Sequence, residues 1–561
     1  MASVLGRWEG DSSLAHRYVA ADHEVVEVSR SALLGAARGR AEALARSRVL
    51  PGDRVALVAQ EPAPFVAAFL GALWAGMVPV PLPPPPMGCK EGWQEEIAAA
   101  LDVVQPTVLA ASEEHLRLLP RVRPLFLAYE QLDVVASGVV PAAPFDPERV
   151  AYLQFSSGST GRPRAVAATC ASVTANALGI MGALRAGPER DHGVSWLPLH
   201  HDMGLVGFVL APLTIGLSVS LMAPSTFIRD PGLWMRTMSR TRGTITAAPN
   251  FAYALAARRS RPQDVAELDL SAVHSLLCGG EPVNKRSLEH FTAVHGPAGL
   301  DPASVRCCYG LAEATLAVTF TEPGVGVVGR GVSRSVLHEQ GRAQRAEGGE
   351  PAVEVVSCGR PLPGHEVLVA DGGAMPCAAR EVGEVWVRGP SVARGYVGDN
   401  AATTETFGRD GWLRTGDRGY LDDDGDLYVT GRSKDVLVVN GRNVDPQHVE
   451  WLVETVAGVR PHGAVAFTRP GVDTEEVVVL AVCGADRAAE LAGRVRELVA
   501  RRLSLHVADV VAVAPGAVAR TTSGKPRRQQ MRARYLATRA ASAAATAVAT
   551  ADAAELNGSL V

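Results

Sequence analysis

At 561 residues the chain is far longer than one hydrophobic core usually serves, so two or more domains are expected. Its 47% hydrophobic and 20% charged residues are those of a globular protein, and a net charge of -4 excludes the basic footprint of a nucleic-acid binder. The start, MASVLGRWEGDSS, has no basic region leading into an apolar run, and the longest apolar stretch, from Gly207, is broken by Pro212 and Gly216; a cytoplasmic protein with no membrane span is expected.

In chain order, short β-rich runs alternate with helical patterns. RVALVA from Arg54 precedes FVAAFLGALWAG, VSWL from Val194 precedes MGLVGFVLAPL, and SLLC from Ser275 precedes NKRSLEHFTAV. This alternation predicts an α/β fold: a large N-terminal domain of mainly parallel sheets flanked by helices. PVPLPPPPMG from Pro79 reads as an extended loop, and residues 324–350, rich in Gly, Arg and Glu, as an irregular insertion. After GDLYVTGRSKD a new unit begins, with strands GAVAFT and EEVVVLAVC and a basic helix AGRVRELVARRL. The expected division is 1–431, then a small α+β domain 432–540, then an Ala-rich tail 541–561. The eight cysteines form no C-x-x-C pair and read as buried reduced thiols.

Four segments could carry chemistry. SSGSTGRPR, Ser156 to Arg164, follows the strand-like AYLQF, where small residues let successive N–H groups face an anion; a flexible turn fits the same residues. In CCYGLAEA, Tyr309 could lay its ring on a flat base and Glu313 could offer a hard oxygen to magnesium, against a core tyrosine and a surface glutamate. Asp417, in a Thr-Gly-Asp turn, is placed like acidic residues that grip ribose hydroxyls, whereas DDDGD from Asp422 lacks calcium-loop spacing and reads as a hairpin turn. In RTTSGKPRR, Lys525 lies between glycine and proline, either a mobile point charge or a solvated basic loop. Of 55 basic residues only Lys90, Lys285, Lys434 and Lys525 are lysine, so a lysine here is a selective choice.

Together and in this order, the segments resemble the acyl-adenylating superfamily of acyl-CoA synthetases, luciferases and nonribosomal adenylation domains, over roughly residues 20 to 540. The resemblance implies a large N-terminal domain, a small mobile C-terminal one, and ATP with Mg²⁺. It assigns Ser156, Ser157, Gly158, Ser159, Thr160 and Gly161 to the β- and γ-phosphates, with Arg164 where a lysine is usual and Ala165 in place of glycine. Gly279, Gly280, Glu281, Tyr309 and Gly310 match the adenine site, Glu313 the magnesium ligand, and Asp417 and Arg432 the ribose contacts. Lys434 matches the hinge and Lys525 the lysine of adenylation.

SWLPLHHDMGLVG, AAPNFAYALAARR, CCYGLAEATLAVTF, SCGRPLPG and GRNVDPQHVE look more like fatty acyl-AMP ligases than acyl-CoA synthetases. In those ligases an insertion near 324–350 is thought to restrict the movement needed for transfer to CoA. The resemblance implies a fatty acid as substrate, an acyl-adenylate as intermediate and the phosphopantetheine thiol of an acyl carrier protein as acceptor. His201 and Asp202 match positions near the acyl carboxylate, His201 being expected to act in catalysis, and Asn250, Phe251 and Tyr253 match the pocket, with core packing equally open to Phe251. Arginines of the small domain, Arg494, Arg496, Arg501, Arg502, Arg527, Arg528 and Arg532, could dock an acidic carrier or simply solubilise a face. An acyl-CoA ligase, an amino-acid adenylation domain and a degenerate carrier-binding homologue are the alternatives.

Overall fold

The computed structural model describes residues 2–85, 93–119, 124–156, 163–408, 410–439, 442–471, 475–484, 488–503, 505–520 and 525–539. It divides into two compact units. Among the described residues the larger comprises 2–156, 163–332 and 354–430, and the smaller comprises 333–353 and 431–539.

The larger unit is built on a nine-stranded sheet. Its centre is parallel: Leu14–Val19, Ser218–Met222, His192–Ser195, Ile245–Ala248, Ser275–Cys278 and Val305–Gly310 lie side by side in that order. Antiparallel strands close it: Val25–Ser29 on one edge, Ala317–Phe320 and Arg360–Pro361 on the other. Helices supply the crossovers that parallel neighbours require. SLLC and ITAA are buried along their whole length, as strands covered on both faces must be. A second, four-stranded parallel sheet holds Val78–Leu82, Arg54–Val58, Val108–Ala111 and Leu125–Ala128 in that order. A four-stranded antiparallel sheet runs through Glu366–Ala370, Gly383–Arg388, Leu413–Leu421 and Leu427–Arg432.

Three local expectations change. The proline-rich stretch is not a loop throughout, because Val78–Leu82 is an edge strand paired with Arg54–Val58. An edge tolerates Pro79 and Pro81, since only one side of it needs N–H donors. The segment after Gly324 is partly regular, with a strand at Gly329–Ser333 and a helix at Arg334–Gln340 ended by Gly341 at φ +65°; seven residues are too few to show a helical period. The described cysteines are not all buried: Cys278, Cys307, Cys358 and Cys483 are, whereas Cys170, Cys308 and Cys377 are half-buried. Asp422 builds the DDDGD turn by accepting from the Asp424 and Asp426 N–H groups at 3.0 Å each.

The smaller unit centres on a three-stranded sheet, Ala464–Pro470, Glu475–Val482 and Val507–Val513. The helix Ala488–Leu503 buries Leu491, Val495, Val499 and Leu503, one residue every four, against it. The helix Arg334–Gln340 belongs to this unit and packs on the strand Arg442–Val444, with the His338 ring 6.2 Å from that of His448. Among the described residues no helix is long and apolar enough to cross a membrane.

Candidate active site

In the larger unit, the strand Val305–Gly310 delivers Tyr309 to the end of the parallel sheet. Tyr309 is 8% exposed and donates its hydroxyl to Asp417 Oδ2 at 2.8 Å; Asp417 is 6% exposed. The expected Thr-Gly-Asp turn is instead part of the strand Leu413–Leu421, where its pairing with Gly383–Arg388 shifts register. Thr415 Oγ1 accepts the Asp417 N–H at 3.1 Å, and Gly416, at φ +70°, donates to Glu384 Oε1. The expected base-contacting phenol and ribose-contacting carboxylate are therefore hydrogen-bonded partners.

The chain needs glycine beside Tyr309. A Cβ on Gly310 would sit 1.9 Å from the Leu316 oxygen, and one on Gly279 would sit 2.6 Å from Cys308 Sγ. The first lets the Tyr309 strand lie close against Leu316 and Ala317, and the second lets the loop that begins at Gly279 lie close against Cys308. Asn250 holds that loop from beneath: Nδ2 donates to the Pro282 oxygen at 2.6 Å and Oδ1 accepts from the Asn284 N–H at 2.9 Å. Burial pushes the nearby Cys308 thiol up to about 12, so it stays protonated.

Four residues past Tyr309, Glu313 lies in the turn Ala312–Ala314, which is anchored where Thr315 donates to the Ser391 oxygen at 2.7 Å. Glu313 Oε1 accepts the Tyr396 hydroxyl at 2.8 Å. Burial, then the Glu313 carboxylate, raises the Tyr396 pKa and keeps that phenol a donor. The Arg164 guanidinium lies over the Tyr396 ring, 5.2 Å from its centroid, and its Nε is 3.8 Å from Asp399. Arg164 also stands opposite Ser156 in the hairpin formed by Val150–Ser156 and Arg164–Thr169. Arg164, Tyr396 and Glu313 thus form one chain of contacts. Ala165 lies in the ladder opposite Phe155 and is fully buried. Ser157, Gly158, Ser159, Thr160 and Gly161 lie outside the described residues.

His201 caps the helix Asp202–Leu205, and its Nδ1 is 3.3 Å from Asp202 Oδ1, which also accepts the Met203 N–H at 2.8 Å. A π-helical turn, Val206–Leu210, follows directly, a distortion often found beside functional sites. Burial lowers the neighbouring His200 to about 3 and leaves it neutral. Phe251 is half-buried and meets Trp196 edge-on at 6.0 Å, while Trp196 stacks on Phe227 at 3.9 Å. Tyr253 is a core residue: fully buried, packed on Trp234 and Phe291, its hydroxyl donating to the Leu277 oxygen at 2.5 Å.

The smaller unit carries Arg432, Lys434 and Lys525. Lys434 is exposed, and its carbonyl accepts from Gln529 Nε2 at 3.2 Å. Lys525 is half-buried, just before a bridge between Arg520 and Pro526. Some arginines of the possible docking face are already engaged: Arg528 is 8% exposed and ion-paired, Arg496 donates to the Val507 oxygen and Arg532 to the Thr468 oxygen. Arg494, Arg501 and Arg502 stay exposed.

Sequence reasoning missed Tyr396 and Glu450. GYVG after a Gly-Pro turn was the available signal for Tyr396; the carboxyl-terminal glutamate of GRNVDPQHVE was the signal for Glu450.

The large unit with its mainly parallel sheet and the smaller unit match the fold of adenylate-forming enzymes. The chain belongs to the AMP-binding enzyme family, whose model matches residues 14–397. It is 34% identical over 523 residues to a 4-hydroxyphenylalkanoate adenylyltransferase of Mycobacterium tuberculosis, covering 86% of this chain and 82% of that one. It is 35% identical over 564 residues to the long-chain-fatty-acid–AMP ligase FadD32 of Mycolicibacterium smegmatis, covering 89% and 88%. A solved chain from work on fatty acyl-adenylate ligases of E. coli and L. pneumophila superposes with a TM-score of 0.91 at 33% identity, covering 96% and 98%. The L. pneumophila ligase in complex with acyl adenylate and pyrophosphate gives 0.74 at 27% identity, covering 95% and 96%. Within its family the chain stands with the fatty acyl-AMP ligases, as an ATP-dependent acid ligase.

Proposed function

We propose that the chain activates a fatty acid with ATP to an acyl-adenylate and pyrophosphate, then passes the acyl group to the phosphopantetheine thiol of an acyl carrier protein. The observation that carries this reading is the turn Tyr309 to Glu313. It holds the Tyr309–Asp417 pair and the Arg164–Tyr396–Glu313 chain four residues apart, fitting a nucleoside and its phosphates respectively.

In the first half-reaction a carboxylate oxygen attacks the α-phosphorus in line, the bond to the β-phosphate bridging oxygen breaks, and pyrophosphate leaves. Asp417 accepts from the ribose hydroxyls and Tyr309 lies against the base, while Arg164 faces phosphate oxygens with a charge that persists at any working pH. Glu313 uses one oxygen on Tyr396, and the carboxylate's second oxygen suits a hard cation, so it is the residue that would hold Mg²⁺. Bound there, the ion would offset phosphate charge. Lys525 supplies a compact ammonium to the charge that spreads as pyrophosphate departs. In the second half-reaction the thiol sulfur attacks the acyl carbonyl, the carbonyl carbon's bond to the phosphate oxygen breaks, and AMP leaves. His201 and Phe251 border the acyl group in this scheme. Asn250 acts by holding the 279–284 loop, and Tyr253 by bonding the Leu277 carbonyl of the strand that leads into it.

The test is carboxylate-dependent ATP–pyrophosphate exchange over fatty acids of increasing length and over aryl alkanoates, followed by acceptor assays with CoA and holo carrier protein. Exchange with fatty acids and transfer to the carrier protein but not to CoA is the expected result. Efficient thioester formation on CoA would make the chain an acyl-CoA ligase; exchange with aryl acids alone would move the substrate class. ATP binding without exchange over the whole panel would mark a degenerate homologue.

A further inference from the structure

Within the smaller unit, the arm that carries Lys525 is clamped by a buried ion cluster. The Arg527 N–H donates to the Ala519 oxygen at 2.8 Å and Arg520 bridges Pro526, so Lys525 lies on the returning arm of a closed hairpin. At residue 528 the chain enters a helix, 528–539. Arg528, at its first turn, donates Nε to Glu450 Oε1 at 2.8 Å and Nη2 to Glu450 Oε2 at 2.7 Å, a two-pronged pair. Its Nη1 donates to Asp435 Oδ2 at 3.1 Å, beside the hinge residue Lys434, whose carbonyl accepts from Gln529.

Glu450 lies on the helix Pro446–Glu454 and also accepts the Ala466 N–H at 3.0 Å. One helical turn on, Glu454 accepts the Ala464 N–H and feels the charge of Arg520. Arg520, at the other end of the hairpin, donates to the His462 oxygen. One helix therefore sets two carboxylates, at positions i and i+4, toward the two ends of the lysine-bearing hairpin.

A buried ion cluster is a poor way to gain stability alone, because apolar residues of similar volume often pack as well or better. Its particular product is direction: a guanidinium forked on a carboxylate fixes an angle, which an apolar contact does not. We propose that Arg528, held by Glu450 and Asp435, is a positioning residue that aims Lys525 and makes the lysine arm and the hinge segment one rigid piece. This rests on the role of Lys525 given above. A misplacement of about 1 Å can cost on the order of 10²-fold in rate.

The test compares Arg528→Lys, which keeps the charge without the fork, with the double variant Arg528→Met/Glu450→Leu, which removes both charges and keeps volume, in the full-length enzyme. Lys525→Ala is the reference. Thermal melting establishes that each variant folds. Both clamp variants are expected to lose roughly 30–100-fold in the kcat of pyrophosphate exchange, with the KM for ATP within about twofold, while transfer from supplied acyl-adenylate to carrier thiol stays within about threefold. Parallel loss in both half-reactions would mean a structural role only and overturn the proposal. So would unchanged exchange in the folded double variant when Lys525→Ala has none. Full exchange in Lys525→Ala would instead remove the parent reading.

Discussion

Tyr396 connects two residues far apart in sequence, Arg164 over its ring and Glu313 at its hydroxyl. Its phenol holds a carboxylate that would otherwise swing, and a hydrogen bond to a charged group contributes about 1.5–3 kcal/mol. If that contact orients Glu313, Tyr396→Phe should lower the kcat of pyrophosphate exchange by roughly tenfold, an effect of that size, with little change in melting temperature. Unchanged exchange would show that Glu313 does not depend on it. Tyr309, Glu313 and Asp417 were legible as single residues from their motifs. That Tyr309 donates to Asp417, 108 positions away, was not, because a hydrogen bond between distant segments leaves no trace in local spacing.

At the scale of elements, the helix Pro446–Glu454 fixes the lysine hairpin. Burial pushes the Glu454 carboxyl up to about 7, above its ordinary 4.5. The folded protein therefore binds this proton more tightly than the unfolded chain does, and the stability it lends is full below pH 4.5 and is lost as pH rises through about 7. Glu454→Gln cannot lose it. The melting temperature of the variant, relative to the wild type, should climb between pH 4.5 and pH 7 and then level off; a difference that does not change with pH would contradict this. The parallel strands were legible because RVALV and SLLC are too apolar to face water. The strand in the proline-rich stretch was hidden, because proline argues against a strand everywhere except at an edge. Arg528 was read as a possible docking charge because a basic run in sequence does not say which member turns inward.

For the whole molecule, Arg164, Tyr309, Glu313, Tyr396 and Asp417, proposed to face the nucleoside and phosphates, lie in the larger unit, and Arg432, Lys434 and Lys525 in the smaller one. The segment Ser333–Val353, which falls in the region expected to be an insertion, clusters with the smaller unit rather than with the chain on either side of it. Composition could not assign it, since its helix is short and packs against residues about a hundred positions later. The central claim is that a carboxylate oxygen becomes part of AMP. Fatty acid labelled with ¹⁸O in both carboxyl oxygens, turned over once with ATP and holo carrier protein, tests it directly by mass spectrometry of the nucleotide. One ¹⁸O should appear in AMP and none in pyrophosphate. Label in pyrophosphate or inorganic phosphate, with unlabelled AMP or with ADP as product, would mean attack at another phosphorus and would contradict the account.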